Sequence, residues 1–306
     1  MVTLQIRFIA MNKTNGYTIN VHGRLMSFDT PVVMGILNCT PDSFFAGSRK
    51  QTESEIADRA NQIIIEGGGI IDVGAFSTRP GADEGSEEEE MRRLRFALPI
   101  VRREQPDAVV SVDTYRPNVA KMAVEEYGAD IINDVSEGGI TGIVDKPLEE
   151  KYVVDGDDKF KDYPAIFRMM GQLKVPYILM SVQGNMRDMV MGFSREIQQL
   201  RDLGVKDIIL DPGYGFGKTI EENFAILREQ EKLQVFGMPI LAGLSRKRLI
   251  WKVLGITADE ALNGTTVVDT IALMNGADIL RVHDVREAVE AVRIVEACQH
   301  PESLRV

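Results

Sequence analysis

Short apolar runs alternate with helical patterns along almost the whole of this 306-residue chain. Each run is rich in Ile, Val or Leu and is short enough to be a strand buried on both faces. The runs are Val32–Leu37, Ile70–Val73, Ala108–Val112, Asp130–Ile132, Tyr177–Met180, Asp207–Leu210, Pro239–Ala242 and Asp278–Val282. Because strand and helix alternate eight times, the sequence predicts an α/β fold, specifically a (β/α)8 TIM barrel. A doubly wound open sheet is the alternative.

Four of the intervening segments open with the pattern of a capping box, in which Ser, Thr or Asp is followed three residues later by Glu. The pairs are Thr52 with Glu55, Ser86 with Glu89, Thr219 with Glu222, and Asp284 with Glu287. Pro117 suits the first position of a helix, and Gly67 and Gly128 suit helix ends. We therefore expect helices to begin and end at these positions.

Two regions fall outside the alternation of strand and helix. Residues 5–28 are predicted to form an N-terminal β-hairpin that plugs the bottom of the barrel. Residues 138–162 are polar and are interpreted as an insertion loop. The rest of the pattern is continuous, so we expect residues 1–306 to form a single domain.

The composition limits the classes of protein that need consideration. Hydrophobic residues make up 44% of the chain and charged residues 26%, which is enough to bury a large core. The net charge of −11 argues against nucleic acids and anionic membranes as partners. Two cysteines are too few for a disulfide framework, and we find no 18-residue apolar stretch. We therefore expect a cytoplasmic globular protein.

Polar, ionisable and glycine residues follow nearly every predicted strand. A lone Asp in such a position is often a helix cap. Capping does not explain seven clusters at the same phase of the repeat, and in a barrel these clusters converge on the top face. They are Asn38–Phe44, Gly74–Gly81, Asp113–Thr114, Asn133–Asp134, Asp211–Lys218, Ser245–Lys247 and Arg281–Asp284.

These clusters suggest a chemistry before any family is considered. Asp113, Asn133 and Asp211 offer fixed acceptors and one amide, which suit a flat heteroaromatic ring with several N–H donors. Lys247 could donate to ring or substrate acceptors.

A second group of residues suits a phosphorylated ligand. Arg79, Arg281 and His283, together with glycine-rich turns, are appropriate for a phosphate or pyrophosphate. Asn38 is an oxygen ligand that Mg²⁺ accepts alongside phosphate oxygens and water. No His/Cys constellation predicts zinc, and no Ser-His-Asp order predicts acyl transfer.

Taken together, these residues resemble the dihydropteroate synthases, the folate-pathway enzymes that sulfonamides inhibit. The match runs in order from about Val32 to Val292. The stretches that carry it are Gly35–Phe44, Ser77–Gly81, Ser111–Thr114, Asn133–Val135, Asp211–Lys218, Ser245–Lys247 and Arg281–Asp284. The resemblance implies an enzyme that condenses 6-hydroxymethyl-7,8-dihydropterin diphosphate with p-aminobenzoate and releases pyrophosphate.

The resemblance also implies residue roles, a metal and an assembly. Asp113, Lys247, Arg281 and His283 would be catalytic. The pterin ring would lie on Asp113, Asn133, Asp211 and Lys247. Mg²⁺ or pyrophosphate would lie on Asn38, Arg281 and His283. The diphosphate and p-aminobenzoate would lie near Thr78, Arg79, Phe216, Lys218 and Ser245. Cys39–Lys50 would close over the site. The family commonly forms homodimers.

The chain departs from this family after the fifth predicted strand. The family usually has a Met-His-Met segment there, whereas this chain has Met180, Ser181 and Val182. Two alternatives therefore stay open. One is a weakly active or inactive pterin-binding homologue. The other is a methyltetrahydrofolate–corrinoid methyltransferase, which would not require the Ser245–Lys247 segment.

Overall fold

A computed structural model describes residues 17–21, 23–39, 49–75, 86–138 and 163–303. Their strands are β1 (Thr18–Val21), β2 (Arg24–Ser27), β3 (Val32–Asn38), β4 (Ile70–Gly74), β5 (Val109–Asp113), β6 (Ile131–Asp134), β7 (Tyr177–Met180), β8 (Ile208–Asp211), β9 (Leu241–Ala242) and β10 (Ile279–Val282). Their helices are α1 (Arg49–Ile65), α2 (Glu87–Glu104), α3 (Pro117–Tyr127), α4 (Ala165–Leu173), α5 (Met186–Asp202), α6 (Ile220–Glu229), α7 (Arg248–Leu254), α8 (Leu262–Met274) and α9 (Val285–Gln299).

The strands β3 to β10 form one parallel sheet in the order β8-β7-β6-β5-β4-β3-β10-β9. A bridge between Leu210 and Ile240 joins its two edges, and the Leu210 N–H donates to the Pro239 carbonyl at 2.9 Å. The sheet is therefore a nearly closed barrel with helices between its strands. This confirms the predicted fold and overturns the open-sheet alternative. The eight predicted runs coincide with these strands, although β9 contains only Leu241 and Ala242 of Pro239–Ala242.

The strands β1 and β2 form an antiparallel hairpin, with Thr18 paired to Ser27. Ile19, Val21 and Phe28 are buried against residues at the N-terminal ends of the barrel strands. The residues they meet include Met34, Ile70, Ile131, Ile178, Ile209, Leu241 and Ile279. The hairpin therefore covers the bottom of the barrel, as predicted. Residues 5–16 of the predicted hairpin and residues 139–162 of the predicted insertion lie outside the described residues.

Two of the predicted helix starts carry a capping side chain. At α6 the Thr219 hydroxyl accepts from the Glu222 N–H at 3.1 Å, and the Glu222 carboxylate accepts from the Thr219 N–H at 2.7 Å. At α2 the Ser86 hydroxyl accepts from the Glu89 N–H at 3.2 Å. These bonds satisfy N–H groups that the helix itself leaves unpaired.

The other two capping predictions are wrong. α1 begins at Arg49, so Thr52 lies inside the helix. Asp284 precedes α9 but makes no capping bond, because its carboxylate receives both arms of Arg246, at 2.8 and 2.9 Å. A charged partner that follows the neighbouring strand β9 therefore takes precedence over the local cap.

Candidate active site

Arg281 links three barrel strands at the carboxyl ends of the sheet. Its Nε donates to Asp72 Oδ2 and its Nη2 donates to Asp113 Oδ2, both at 2.6 Å. These residues lie on β10, β4 and β5. Asp72 is fully buried, and the side chains of Arg281 and Asp113 are 15% and 13% exposed. Burial alone would lower the pKa of the guanidinium, but the two carboxylates outweigh it and raise that pKa. Arg281 is thus a fixed cation at the centre of the top face.

Asp72 is a site residue that the sequence analysis missed. It is fully buried, and its Oδ2 also accepts from Asn133 Nδ2 at 3.3 Å. The signal available in the sequence was one acidic residue inside the apolar run Ile70–Val73. A carboxylate in a buried strand needs a partner, so this residue could have been predicted to face a cation.

Three buried acceptor oxygens around this ion pair have no hydrogen-bond donor among the described residues. They are Asp72 Oδ1, Asp113 Oδ1 and Asn133 Oδ1. A buried acceptor without a donor costs about 1–3 kcal/mol, and most such groups in proteins are satisfied. The top of the barrel is therefore arranged to receive the N–H groups of a ligand.

The pKa values of two groups here are shifted towards neutrality. Burial raises the pKa of Asp113 to about 7, although Arg281 opposes this. Burial lowers the pKa of Lys247 to about 7, although Asp211 opposes this. Burial also raises the pKa of Asp211, with Lys247 acting in the opposite direction. Both an acid and a base near neutral pH are typical of functional sites.

Lys247 and Phe216 form one wall of the site. The Lys247 Nζ lies 4.5 Å from the centroid of the Phe216 ring and donates to the Tyr214 carbonyl. The half-buried Phe216 also packs on a small apolar cluster, made of Val135, Met180 and Val182. This gives the site an aromatic and aliphatic side suited to a flat ring.

Lys218 is held by three backbone carbonyl groups. Its Nζ donates to the carbonyls of Ser181, Gly213 and Phe216 at 2.8, 2.9 and 3.3 Å. Burial lowers its pKa to about 8, with Asp211 opposing the shift. These bonds hold the glycine-rich turn after β8 against the segment after β7. A substrate contact for Lys218 remains a prediction.

Gly213 explains why this turn is glycine-rich. Its φ is +67°, and a Cβ at this position would lie 2.2 Å from the Ser181 carbonyl oxygen. A residue with a side chain would therefore be both strained and in collision with backbone. The Gly213 N–H donates to Asp211 Oδ1 at 2.7 Å, which fixes the Asp211 carboxylate.

Ser245 and His283 meet at the other side of the top face. The Ser245 Oγ lies 3.0 Å from His283 Nδ1, and the His283 N–H donates to the same Oγ at 3.2 Å. Although His283 reaches the solvent, burial of its ring and then Arg281 lower the imidazole pKa to about 4. His283 is therefore neutral at neutral pH and offers an N–H rather than a charge.

Asn38 leans towards Asp113 across the end of β4. Its Oδ1 lies 3.3 Å from the point that a Cβ on Gly74 would occupy, and the Asp113 Cβ lies 3.7 Å from the same point. The described residues include no group of three or more His, Cys, Asp or Glu that could hold a metal. One protein oxygen beside an anion site fits Mg²⁺ that arrives with phosphate oxygens and water.

Several predicted positions cannot be placed in this geometry. Thr78, Arg79 and most of the predicted closing loop, residues 40–48, lie outside the described residues. The structure brings together Asn38, Asp113, Asn133, Asp211, Phe216, Lys218, Ser245, Lys247, Arg281 and His283 at one end of the barrel. Their individual roles remain predictions.

Comparisons with known proteins agree with this geometry. The model of the family described as "Pterin binding enzyme" matches residues 34–283. The dihydropteroate synthase of Escherichia coli K12 is 35% identical over 292 residues, covering 90% of this chain and 94% of the relative. That of Clostridium beijerinckii is 37% identical over 275 residues, covering 86% and 93%.

Solved structures give the same result. The Xanthomonas albilineans dihydropteroate synthase with 4-aminobenzoic acid has a TM-score of 0.77 and 31% identity, covering 93% of this chain and 99% of that one. The Yersinia pestis enzyme with a sulfonamide drug has a TM-score of 0.76 and 32% identity, covering 92% and 99%. The chain therefore belongs to the pterin-binding enzyme family and, within it, to the dihydropteroate synthases.

Proposed function

We propose that the chain joins 6-hydroxymethyl-7,8-dihydropterin diphosphate to p-aminobenzoate, forming 7,8-dihydropteroate and pyrophosphate in folate biosynthesis. The observation that carries this proposal is the set of three unpartnered acceptor oxygens, on Asp72, Asp113 and Asn133, beside the Arg281 cation. A pterin ring has N–H groups for these acceptors, and its diphosphate suits the cation. The relatives support the substrate class, since the structure of the Clostridium difficile dihydropteroate synthase was determined in the presence of pteroic acid.

The pterin end of the site is assigned to residues that accept or donate in the plane of a ring. Asp113 and Asn133 accept from ring N–H groups, and Asp211 provides a further acceptor. Lys247 donates to ring acceptors, and Phe216, whose ring lies beneath the Lys247 ammonium, lines the same side of the site.

The reaction needs charge stabilisation rather than a protein nucleophile. Arg281, with the one ring N–H of His283, holds the diphosphate as the bond to the pterin methylene breaks. The positive charge left on the pterin is stabilised by the Asp113 carboxylate. The neutral amine of p-aminobenzoate then forms the new C–N bond to the methylene, and the nitrogen loses one proton to water or to the released pyrophosphate. Ser245 is assigned to the carboxylate of p-aminobenzoate. Thr78 and Arg79 are assigned to the loop that orders both substrates.

Mg²⁺ is assigned to the diphosphate end of the site. Asn38 would hold it by one side-chain oxygen, and the diphosphate and water would supply the other ligands. When bound, Mg²⁺ supplies positive charge that makes the diphosphate a better leaving group.

The decisive experiment supplies both substrates with Mg²⁺ and follows pyrophosphate and dihydropteroate together. We expect equal amounts of the two products, none without p-aminobenzoate, and a strong loss of rate when EDTA removes the metal. Pterin binding measured in parallel separates the alternatives. Binding without any product would favour the pterin-binding homologue, and absence of binding would overturn the assignment of the pocket.

The partners are proposed to be these small molecules and not nucleic acid, because the net charge of −11 gives no excess of basic residues. Among the described residues, no helix has both the length and the apolar character needed to cross a bilayer. Together with the cysteine content, this supports the proposal of a cytoplasmic enzyme.

A homodimer is also proposed, through the outer faces of α7 and α8. Large apolar side chains are 41–60% exposed on these two adjacent helices, and such a patch is typical of an interface. They are Val253, Leu254, Val267, Ile271 and Met274. We expect Ile271→Asp to shift the mass measured by light scattering from that of two chains to that of one. Met191→Asp, at an exposed position on α5, is the control and should stay dimeric; a monomeric wild type would contradict the proposal.

A further inference from the structure

The three residues after β7, Ser181 to Gln183, alternate between facing the site and facing away from it. Val182 faces the site and packs with Phe216, Val135 and Met180. Its two neighbours, Ser181 and Gln183, are buried on the other side of the segment. The position of Val182 therefore depends on what holds the residues on either side of it.

One carboxylate oxygen holds both neighbours. Glu137 Oε1 accepts from the Ser181 hydroxyl at 3.2 Å and from Gln183 Nε2 at 3.3 Å. A backbone hydrogen bond from Val182 acts on the same carboxylate. The Glu137 side chain thus contacts three consecutive residues, and the middle one is the pocket wall.

Glu137 adopts a backbone conformation that does not favour glutamate. Its φ is +55°, in the left-handed region that glycine occupies at little cost. The residue is also fully buried. A buried carboxylate on a strained backbone is stable only when its side-chain contacts offset both costs.

A second buried carboxyl lies beside it. Glu196 on α5 is fully buried, and both of its oxygens lack a partner within the described chain, as does Glu137 Oε2. Glu196 Oε1 and Glu137 Oε1 lie 3.5 and 3.9 Å from the point that a Cβ on Gly192 would occupy. Gly192, in the middle of α5, therefore leaves the space in which the two carboxyls meet.

Two adjacent buried carboxyls are stable together when a proton lies between them. Burial raises the pKa of both groups, and that of Glu196, which Glu137 raises further, lies well above its usual range. A protonated Glu196 can donate to the Glu137 carboxylate, and this would supply a donor that the described residues otherwise lack at this pair.

We propose that Glu137 is a positioning residue for the pterin pocket: backed by a protonated Glu196, its carboxylate ties Ser181 to Gln183 and so holds Val182 against Phe216. This rests on the proposed function in one respect, the assignment of the Phe216 side of the site to the pterin. Ser181 and Val182 are the two positions at which the chain departs from its family pattern, and the Glu137 carboxylate contacts both of them.

Glu137→Gly tests the proposal without endangering the backbone, because glycine accepts the left-handed conformation. We expect the KM for the pterin diphosphate to rise about tenfold, as for one lost charge-assisted hydrogen bond. The KM for p-aminobenzoate and kcat should change less. Calorimetry with 6-hydroxymethylpterin should show the same loss of affinity, and the melting temperature should show that the protein folds.

Two further variants separate positioning from a structural effect. Lys174→Gly is the matched control, since Lys174 has a φ of +56° at the end of α4, before β7 begins. It should leave both KM values unchanged. Glu137→Gln should recover most of the pterin affinity, because its oxygen accepts from Ser181 and Gln183 while its amide donates to Glu196.

Three outcomes would overturn the proposal. One is wild-type pterin affinity in folded Glu137→Gly. Another is a fall in kcat that matches the rise in both KM values, with no recovery in Glu137→Gln. The third is a wild type that binds no pterin, in which case the proposed function fails together with this inference. If the wild type and Glu137→Gly both bind pterin with the same affinity, only the inference fails.

Discussion

Asp113→Asn is expected to lower kcat for dihydropteroate formation by about a hundredfold to a thousandfold, the usual effect of removing a preorganised electrostatic group. The amide keeps the shape of the side chain but not the negative charge that stabilises the cationic pterin methylene. Steady-state assays with saturating substrates and Mg²⁺ measure the change. A rate equal to that of the wild type would show that the assigned role of Asp113 is wrong.

Asp269→Asn is the matched control for this substitution. Asp269 is a buried carboxyl on α8, and burial raises its pKa to about 8, so it is already uncharged at neutral pH. Replacing it with the neutral isostere should change kcat little. The control therefore separates loss of a charge at the site from loss of a buried carboxyl in general.

The pH profile gives a second readout of Asp113. Its pKa of about 7 in the free protein predicts that kcat/KM falls as pH drops below neutrality, because the carboxylate is then protonated. Lys247, also with a pKa of about 7, loses its proton as pH rises and predicts a decline on the alkaline side. Asp113→Asn should abolish the acid limb and keep the alkaline one.

Arg281→Met is expected to lower the free energy of unfolding by about 3–5 kcal/mol near pH 8, the range for breaking a buried ion pair. The substitution leaves the Asp72 and Asp113 carboxylates without the cation that both contact at 2.6 Å. Urea unfolding monitored by circular dichroism measures the loss. Diphosphate binding should also weaken strongly, because the central cation of the site is gone.

The destabilisation of Arg281→Met should depend on pH. Without the arginine, the pKa of Asp113 in the folded state moves further above its unfolded value of about 3.9. Such a carboxyl costs no stability when both states are protonated, and the cost grows as pH rises towards the folded pKa. The wild type bears the same cost up to its own folded pKa of about 7, so its difference from the variant should be constant between about pH 4 and pH 7 and should grow only above pH 7. A difference independent of pH would contradict this electrostatic origin.

Arg281→Lys is the control for charge alone. Lysine keeps the cation but cannot donate to two carboxylates through a planar fork. It should retain more stability than the methionine variant while still weakening substrate binding. Equal stability of the two variants would mean that packing of the side chain, and not its charge, holds the top of the barrel.

Much of the fold could be predicted because buried parallel strands have a strong local signal. Tyr177–Met180 was predicted to the residue, and Thr219 with Glu222 caps α6 as its spacing indicates. The failures arose where a distant partner overrides the local pattern. Asp284 has the sequence of a cap, yet Arg246 takes its carboxylate.

The site was predicted where residues follow a strand and missed where they do not. Asp113, Asn133 and Asp211 are the last residues, or nearly so, of their strands, and position alone places them at the top face. Asp72 lies within β4, so only the direction of its side chain reveals its role. The role of Glu137 depends on its left-handed φ, and the sequence pattern of a polar segment does not predict such a backbone conformation.

The barrel is closed between β8 and β9 by fewer backbone contacts than between its other neighbouring strands. A single bridge connects these strands, whereas the other barrel neighbours share longer registers. Asp211 ends β8, and Lys247 follows β9, so the two sides of this join carry opposite ends of the pterin contact set. The proposed pterin contacts lie on both sides of the strand pair that this single bridge joins. We therefore expect a bound pterin to stabilise this part of the barrel wall, because a ligand that binds only the folded state adds to the stability of that state.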